Sequence, residues 1–500
     1  MWNRNKTAVL MVSLLLAGCA VGPNFLPPNP PPVDRYTADS QPSRTVAANG
    51  EVQTFEIGSQ AAQDWWQLFK SPQLDAVVKE AVARNHNLQA ALARLRQSQE
   101  TLKAGYGVFF PSFTGSFEPQ REKFSPAQFG IGTQGSTFNL FTATASVSYL
   151  LDVWGGQRRN VESLAAQRDY QKYTALATNM TLLENVVNAA IAGAAYRGEI
   201  EATEKLVALQ QEQVRLTESQ VKGGISPYVN VVSLQTQLAL TEATLPPLRQ
   251  NLSKTEHLLA SLVGLTPAHW VPSNFKLAEF TLPRELPVTV PANLVRQRPD
   301  ILAAEAQVHS ACAQIGVATA ALLPSFTLSG DIGKNITDIT QFFANSGTFW
   351  SFGAGVVQPF FKGGTLWHQR KAAMEAYQAS LSDYRQVVVS AFQQVADTLK
   401  ALEHDAQLVK AQAEARRAAQ EALDLVQANY EAGLANYLQV IVANNQYQQA
   451  LLGYISAQAL RLQDTSALFV ALGGGRWSTP AKLGGTSLSQ IGKTGLPALD

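Results

Sequence analysis

The sequence predicts a mixed α and β protein in which very long helices alternate with four amphipathic strands. Two stretches without proline, Gln157 to Ser226 and Phe361 to Thr479, carry helical patterning longer than a globular core buries. The 67 residue steps from Gly156 to Gly223 would form roughly 100 Å of helix, because an α-helix rises about 1.5 Å per residue. Gly364 to Gly433 nearly repeats that length. Helices of this length must span something other than a compact core.

The N-terminus predicts export and lipidation. Two basic residues precede an apolar run from Ala8 to Leu16, which is too short to span a membrane and has the length of a secretory signal. The run ends in Leu-Ala-Gly before Cys19, which resembles the bacterial lipobox, where the cysteine is acylated and becomes the first residue after cleavage. Residue 20 is not aspartate, which in this class of lipoprotein points to the outer membrane. A covalent lipid on Cys19 is the only bound group that we expect.

Composition limits what the chain could bind and how it could span a membrane. Charged residues make up 15% of the chain and the net charge is +1, so no basic face for nucleic acid is implied. If Cys19 carries lipid, Cys312 stands alone, and its small neighbours predict a buried helix residue. No later segment offers the roughly 20 unbroken apolar residues of a membrane helix. Any membrane span must therefore consist of strands.

Four segments alternate polar and apolar residues with a period of two, as strands with one polar face do. With a residue or two added at the ends, each reaches the roughly 9 to 11 residues that a tilted strand needs to cross lipid. The alternative is an ordinary half-buried antiparallel sheet. The four segments are Ser112 to Glu118, Phe141 to Tyr149, Ser325 to Ile332 and Trp350 to Val356.

An internal repeat organises the chain. Pro111-Ser112-Phe113 recurs as Pro324-Ser325-Phe326 at an offset of 213 residues, and Gly224 recurs as Gly433 at an offset of 209. Each half is predicted to form a helix, a strand, an extracellular loop, a strand, a very long helix, a turn and a return helix. The loops are expected near residues 119–136 and 333–347.

Four strands are too few to close a barrel, since about eight is the smallest number that fills itself. The chain must therefore oligomerise if the strands span a membrane. Two copies would give eight strands and three would give twelve, and the residues alone do not choose between them. The small polar residues of the strands suit a wide, wet lumen better than a plugged one.

The last helix has two apolar seams, which predicts that it packs against two neighbours as part of a tube wall. A simple helical hairpin is the alternative. One seam comprises Leu452, Ile455, Ala459, Leu462, Ser466 and Phe469, and the other comprises Val440, Tyr447, Ala450, Tyr454 and Ala457.

Several motifs together resemble those of the outer-membrane efflux lipoproteins of the TolC/OprM/NodT type. They are the sequence C-A-V-G-P-N-F-L-P-P from Cys19 to Pro28, the repeated Pro-Ser-Phe, the Tyr430-x-x-Gly433 turn and the closing A-L-G-G-G from Ala471 to Gly475. The resemblance covers residue 1 to about residue 477. It implies a homotrimer in which four transmembrane strands per protomer contribute to a 12-stranded β-barrel, continued by a long periplasmic α-helical barrel.

The function implied by this resemblance is that of the exit duct of a tripartite efflux pump. Such a duct lies in the bacterial outer membrane, is anchored there by lipid, extends into the periplasm and conducts substrates passively. Its partners would be outer-membrane lipid, a periplasmic adaptor protein and an inner-membrane transporter, with no nucleic acid.

The domain boundaries follow from the repeat and the resemblance. We expect a signal peptide at 1–18, a lipid-anchored extended segment at 19–63, and a flexible tail at 473–500. The periplasmic helical barrel and equatorial region would comprise 64–110, 155–323 and 362–472. The outer-membrane strands and loops would comprise 111–154 and 324–361.

The resemblance also assigns site residues at the two helical turns. The turns that would dock an adaptor comprise Gly223, Gly224, Gly433 and Leu434, and the periplasmic gate would comprise Tyr430, Asn230, Gln439 and Val442. The last two stand where members of this family often place aspartates, and Asn230 stands where a carboxylate partner of Tyr430 is expected. The predicted latch is therefore a neutral hydrogen bond of about 0.5 to 1.5 kcal/mol.

No enzymatic chemistry is predicted. The six histidines lack metal-ligand spacing, and no nucleophile elbow follows a strand. Two further classes remain as alternatives to the efflux duct, a non-conducting periplasmic scaffold lipoprotein and the exit duct of a type I protein secretion system. A lipid-anchored enzyme would need a polar constellation that this sequence lacks.

Overall fold

The computed structural model describes residues 20–39, 42–59, 61–130, 132, 134–474, 482–483 and 486–487. These residues belong to two compact units. The sheet unit comprises the described residues within 1–28, 95–171 and 304–384, and the helical unit those within 29–94, 172–303 and 385–500. The predicted signal peptide and Cys19 lie outside the described residues, as does most of the predicted tail.

Nine α-helices are present in the described part of the chain, and two of them have 67 residues each, which confirms the predicted long helices. No proline lies inside either one, so the hydrogen-bond ladder is uninterrupted. No helix in these described ranges is both long and apolar enough to cross a membrane. The helices are α1 Pro72–Arg84, α2 His86–Tyr106, α3 Gly156–Lys222, α4 Tyr228–Glu242, α5 Leu245–Val263, α6 Pro291–Val295, α7 Pro299–Ala320, α8 Thr365–Glu431 and α9 Tyr437–Ala471.

The return helix of the first half differs from the prediction. A single helix was expected after each long helix, and α9 fulfils this with 35 residues. In the first half the return is divided into α4 and α5, and Pro246 and Pro247 stand near the start of α5. Proline is tolerated in the first turn of a helix but removes a hydrogen bond from a helix interior, so this pair ends the continuous helix.

Four long strands form one antiparallel sheet in the sheet unit, in the order β2-β3-β5-β6. This confirms the four predicted strands. The strands of the described residues are β1 Thr54–Ile57, β2 Ser112–Phe124, β3 Ser136–Leu151, β4 Glu285–Val288, β5 Ser325–Ile336 and β6 Thr348–Val357, followed by the two-residue strands β7 Lys482–Leu483 and β8 Thr486–Ser487.

The strands run further than their polar alternation indicated. The first loop was expected to begin near Pro119, but Pro119 pairs with Phe141 and β2 continues to Phe124. The proline is accommodated because β2 is an edge strand, where a missing N–H need not break the ladder. The second loop was expected to begin near Gly333, and β5 continues to Ile336.

A short parallel pair, β1 with β4, was not predicted. Residues 19–63 were expected to form an extended segment, with no partner strand assigned, and β4 contains Pro287. The pair forms because Phe55, Leu286 and Val288 are buried in the core of the helical unit. Burial of these side chains outweighs weak local strand signals.

The core of the helical unit is centred on aromatic side chains. Trp65 and Phe69 lie on a short 3₁₀-helix and are fully buried, and the Trp65 ring stacks on Phe469 with centroids 5.6 Å apart. Phe469 and Leu462 are buried, which confirms the C-terminal part of the first predicted seam of α9. Leu452 and Ile455, nearer the N-terminus of that helix, are only partly buried within this chain.

A buried arginine on α9, which continues the second seam by its spacing from Tyr454 and Ala457, was not predicted. The Arg461 Nε donates to Gln53 Oε1 at 2.9 Å, and Gln53 Nε2 in turn donates to Thr465 Oγ1 at 3.0 Å. Nearby, burial and a hydrogen bond with Asp464 raise the pKa of Asp405 to about 7. These contacts bind the N-terminal segment to α9 within the helical unit.

Cys312 lies buried on α7 in the sheet unit, as predicted. Burial raises the pKa of its thiol, which disfavours the reactive thiolate.

Candidate functional site

The two turns that follow the long helices share one backbone motif. After α3, Ile225 N donates to Gln220 O at 2.9 Å and Gly224 N donates to Val221 O at 3.0 Å. After α8, Leu434 N donates to Asn429 O at 2.8 Å, and Gly433 N donates to the carbonyl of the residue three before it. Both are Schellman motifs, which place a residue in the left-handed region after the helix.

Glycine is required at Gly224 and Gly433 by backbone conformation rather than by crowding. Their φ angles are +72° and +74°, which side chains disfavour. A Cβ at either position would meet no atom within 4 Å. Each turn is therefore open to the approach of another chain.

The residues after these glycines expose large aliphatic side chains at equivalent positions. Ile225 and Leu434 are 80% and 81% exposed, and Val229 and Leu438 are 64% and 66% exposed. In a Schellman motif the residue after the glycine frequently packs back on its own helix, and here it does not. These four residues, which we call the apolar turn residues, form a candidate contact surface.

Tyr430 contacts a different amide from the one predicted. Its hydroxyl donates to Gln220 Oε1 at 3.4 Å, and its ring meets the Tyr437 ring edge-on with centroids 5.9 Å apart. Asn230 instead donates from Nδ2 to Ser226 Oγ at 3.0 Å, within its own turn. The two predicted latch partners therefore do not pair within one chain, because each finds a nearer partner.

Gln439 has a structural role that the sequence comparison did not suggest. Asn436 Oδ1 accepts from Gln439 N, and Gln439 Oε1 accepts from Asn436 N, both at 3.1 Å. This capping box satisfies two N–H groups at the start of α9. Gln439 and Val442 are exposed on that helix.

Amides link the return helices to each other and to α3 below the turns. Gln237 on α4 and Asn445 on α9 exchange hydrogen bonds, and Asn444 Nδ2 lies 3.5 Å from Gln213 Oε1. The segments 223–230 and 432–442 contain no aspartate or glutamate. These two segments therefore carry no fixed negative charge, and the carboxylate next to them in sequence is the exposed Glu431, the last residue of α8.

The second candidate region is the sheet, whose register separates polar from apolar side chains. Residues paired across antiparallel strands share a face. The hydroxyl-bearing face includes the rows Ser112–Ser148–Ser329–Gly353 and Thr114–Ser146–Asp331–Ser351.

The opposite face presents large apolar side chains. Its rows include Phe113–Val147–Gly330–Phe352 and Gly115–Ala145–Ile332–Trp350. Phe113 and Trp350 are 82% and 78% exposed within the chain. A surface of this size is stable only when another apolar medium covers it.

Comparison with known proteins identifies the class of this chain. The model of the outer membrane efflux protein family matches residues 77–265 and 290–474. These two segments cover well over half of the sequence, and the chain belongs to this family. It is a protein of the bacterial outer membrane, and its family is one of efflux proteins rather than enzymes.

Individual relatives agree with this membership. Nodulation protein T of Rhizobium leguminosarum bv. trifolii is 28% identical over 463 residues, which cover 92% of this chain and 94% of that protein. The pyoverdine export outer membrane protein OpmQ of Pseudomonas aeruginosa is 27% identical over 478 residues, which cover 95% and 97%.

Solved structures share the fold at lower identity. The outer-membrane channel OprN superposes with a TM-score of 0.82 at 23% identity, covering 91% of this chain and 99% of OprN. The Campylobacter jejuni CmeC outer membrane channel gives 0.83 at 18% identity, covering 94% and 97%. The mixed α and β fold of this chain is therefore that of outer-membrane channels.

Sequence reasoning missed the apolar turn residues except for Leu434. The 209-residue offset that relates Gly224 to Gly433 also relates Ile225 to Leu434 and Val229 to Leu438. Applying the same offset to the five residues after Gly224 would have identified Ile225, Val229 and Leu438.

Proposed function

We propose that this chain is the exit duct of a tripartite efflux pump and conducts its cargo through a homotrimer. The observation that carries the proposal is the two-faced sheet, with hydroxyls on one side and exposed aromatic rings on the other. Lipid would cover the apolar face, and the polar face would line a water-filled lumen.

The open edges of the sheet support association with further copies of this chain, and three is the number of copies that the family implies. Among the described residues, β2 and β6 are the two edges, and each has ten or more residues. Unpaired N–H and C=O groups are not tolerated in lipid, so each edge needs a partner strand. Pairing β2 of one copy with β6 of the next would close a 12-stranded barrel, and three copies of α3 and α8 would continue it as an α-helical barrel. The corresponding order of helices, strands and turns in the two halves supports an internal two-fold repeat.

The turn region would face the periplasm and dock the adaptor. The backbone approach is open at Gly224 and Gly433, and Gly223 lies beside Gly224 in the first turn. The four apolar turn residues, including Leu434, would supply the buried contact. An inner-membrane transporter would deliver cargo through that adaptor. Two relatives are named for pyoverdine export and toluene efflux, which favours a small-molecule cargo over a secreted polypeptide.

The gate would be formed in the trimer by Tyr430, Asn230, Gln439 and Val442. Within the chain Tyr430 already pairs with an amide, which supports a neutral latch rather than an ionic one. Val442 is exposed and could meet a neighbouring copy or the axis, and the exposed Gln439 could do so through its Nε2 while its Oε1 caps α9.

Anchoring through lipid on Cys19 is supported by how the chain is held just after it. Val21 N donates to Trp154 O at 2.9 Å, and Arg159 Nη2 donates to Asn24 Oδ1 at 2.6 Å, all within the sheet unit. A side chain added at Gly155 would collide with Ala20. Mass spectrometry of the mature N-terminus should find a lipidated cysteine, and an unmodified residue 19 would refute this anchor.

The experiment that tests the proposed function measures mass and conductance together. The protein purified in detergent should have the mass of a trimer and should produce discrete channels in planar lipid bilayers. A monodisperse monomer without conductance would favour the non-conducting scaffold and overturn the duct.

A further inference from the structure

The charged residues of the membrane sheet are sorted by sign between its two faces. All three carboxylates of the four strands, Glu118, Glu122 and Asp331, share the hydroxyl-bearing face. The three cationic residues of these strands lie on the apolar face, and they are Arg121, Lys123 and Lys334. No cation of the four described strands stands on the hydroxyl-bearing face.

The three basic side chains are tolerated on the apolar face because they lie near the ends of the strands where the loops begin. Lys334 Nζ donates to the Phe342 carbonyl oxygen at 2.9 Å, so the connecting segment binds its charge. Arg121 and Lys123 lie in the last four residues of β2. Long basic side chains at a membrane boundary extend their charge toward the polar interface.

Asp331 is held in a fixed orientation on the hydroxyl-bearing face. It occupies one cross-strand row between Ser146 and Ser351. Ser351 Oγ donates to Asp331 Oδ2 at 3.0 Å, and the Ser146 hydroxyl also hydrogen-bonds this carboxylate. Hydroxyl donors on both sides orient the carboxylate, and no cation pairs with it on this face of the described strands.

We propose that Asp331, together with Glu118, determines a preference of the duct for cations. This inference rests on the proposed trimer, in which three copies of each carboxylate would surround the lumen. Rings of carboxylates favour cations in pores, and walls of low dielectric focus their field. The first turn has no carboxylate between Gly223 and Asn230, and the second has Glu431 at the end of α8.

The test compares reversal potentials across a KCl gradient in planar bilayers. The wild type should prefer K⁺ over Cl⁻, and Asp331→Asn should lower the permeability ratio by about twofold or more, most strongly at low salt. Glu118→Gln provides a second variant if Asp331→Asn fails to assemble. The matched control is Arg121→Gln, which removes a charge from the opposite face and should leave the ratio unchanged.

The outcomes separate this inference from the proposed function. A conducting trimer without cation preference, or one whose preference survives both substitutions, overturns the inference and leaves the duct intact. A rise of the K⁺ preference in Arg121→Gln as large as the fall in Asp331→Asn would mean that overall charge rather than the lumen face is responsible, which also overturns it. Absence of conductance in the wild type would contradict the proposed function, and this inference with it.

Discussion

The sheet and the turn region both expose large apolar side chains, but they do so in different ways. On the sheet these side chains form rows across four strands, with residues such as Phe113 and Trp350 among them. At the turns they comprise four residues on two equivalent backbone motifs, and amide side chains line the helices beside them. The sheet therefore needs a continuous apolar solvent, whereas the turns present enough surface for a limited contact.

The sheet and the turn region also differ in fixed charge. The sheet separates charges by face and keeps three carboxylates among its hydroxyls, while the segments 223–230 and 432–442 contain none. Charge in the sheet would act on whatever passes along it, and the turns, where Glu431 is the one carboxylate between Tyr430 and Gly433, would be held together by packing and amides.

Substitution by arginine should affect stability very differently at two neighbouring residues of β3. Ala145 lies in an apolar row and Thr144 in a polar row. Arginine facing lipid near the middle of a strand costs about 2 to 4 kcal/mol, whereas a lumen substitution chiefly changes selectivity. Unfolding in lipid vesicles should show Ala145→Arg strongly destabilised and Thr144→Arg nearly unchanged. Equal destabilisation of both variants would contradict the assignment of the faces.

Charging the turn residues should abolish coupling to the pump without disturbing the duct. Ile225→Asp combined with Leu434→Asp should weaken adaptor binding at least tenfold, because each buried aliphatic side chain contributes about 1.5 to 3 kcal/mol. Resistance of cells to exported compounds should fall, while channels in bilayers persist. Ile57→Asp, at an equally exposed isoleucine of β1, is the control and should retain resistance. Retained resistance in the double variant would remove these residues from the docking surface.

The smallest effect is expected from adding charge at the turns. Gln439→Glu preserves the capping box, which accepts either side chain, and would place three carboxylates in the trimer. Cation preference should rise by roughly twofold or less, most visibly at low salt. Gln439→Asp adds the same charge with a shorter side chain and should also weaken the cap of α9 by about 1 kcal/mol. If neither variant changes the reversal potential, Gln439 does not face the pore.

The sequence was sufficient to predict elements whose cause is local. The long helices follow from uninterrupted periodicity, and the four strands follow from strict alternation, as at Phe141 to Tyr149. Strand ends were less predictable, because Pro119 reads as a turn unless one knows that β2 is an edge.

What the sequence did not predict depends on distant partners. The pairing of β1 with β4 joins segments far apart in the chain, and the buried Arg461 is intelligible only beside Gln53. At the turns, the glycines were predicted from their offset, but the partner of Tyr430 was not, because Gln220 and Asn230 are both amides near the same turn. Geometry, not residue type, selects between them.

We propose that neighbouring copies join β2 to β6 and close a barrel, and cysteine cross-linking would detect that contact itself. Paired positions on adjacent antiparallel strands have Cα atoms about 4.5 to 5.5 Å apart, within disulfide range. Ser351→Cys would be combined in turn with Ser112→Cys, Thr114→Cys and Ser116→Cys, with the buried Cys312 left in place.

Thr114→Cys with Ser146→Cys, which are paired within one chain, serves as the intramolecular control. The account predicts that at least one β6–β2 pair yields covalent dimers and trimers on non-reducing gels, whereas the control yields only monomers. Failure of every β6–β2 pair to cross-link, while the control pair oxidises fully, would contradict closure of the barrel by neighbouring copies.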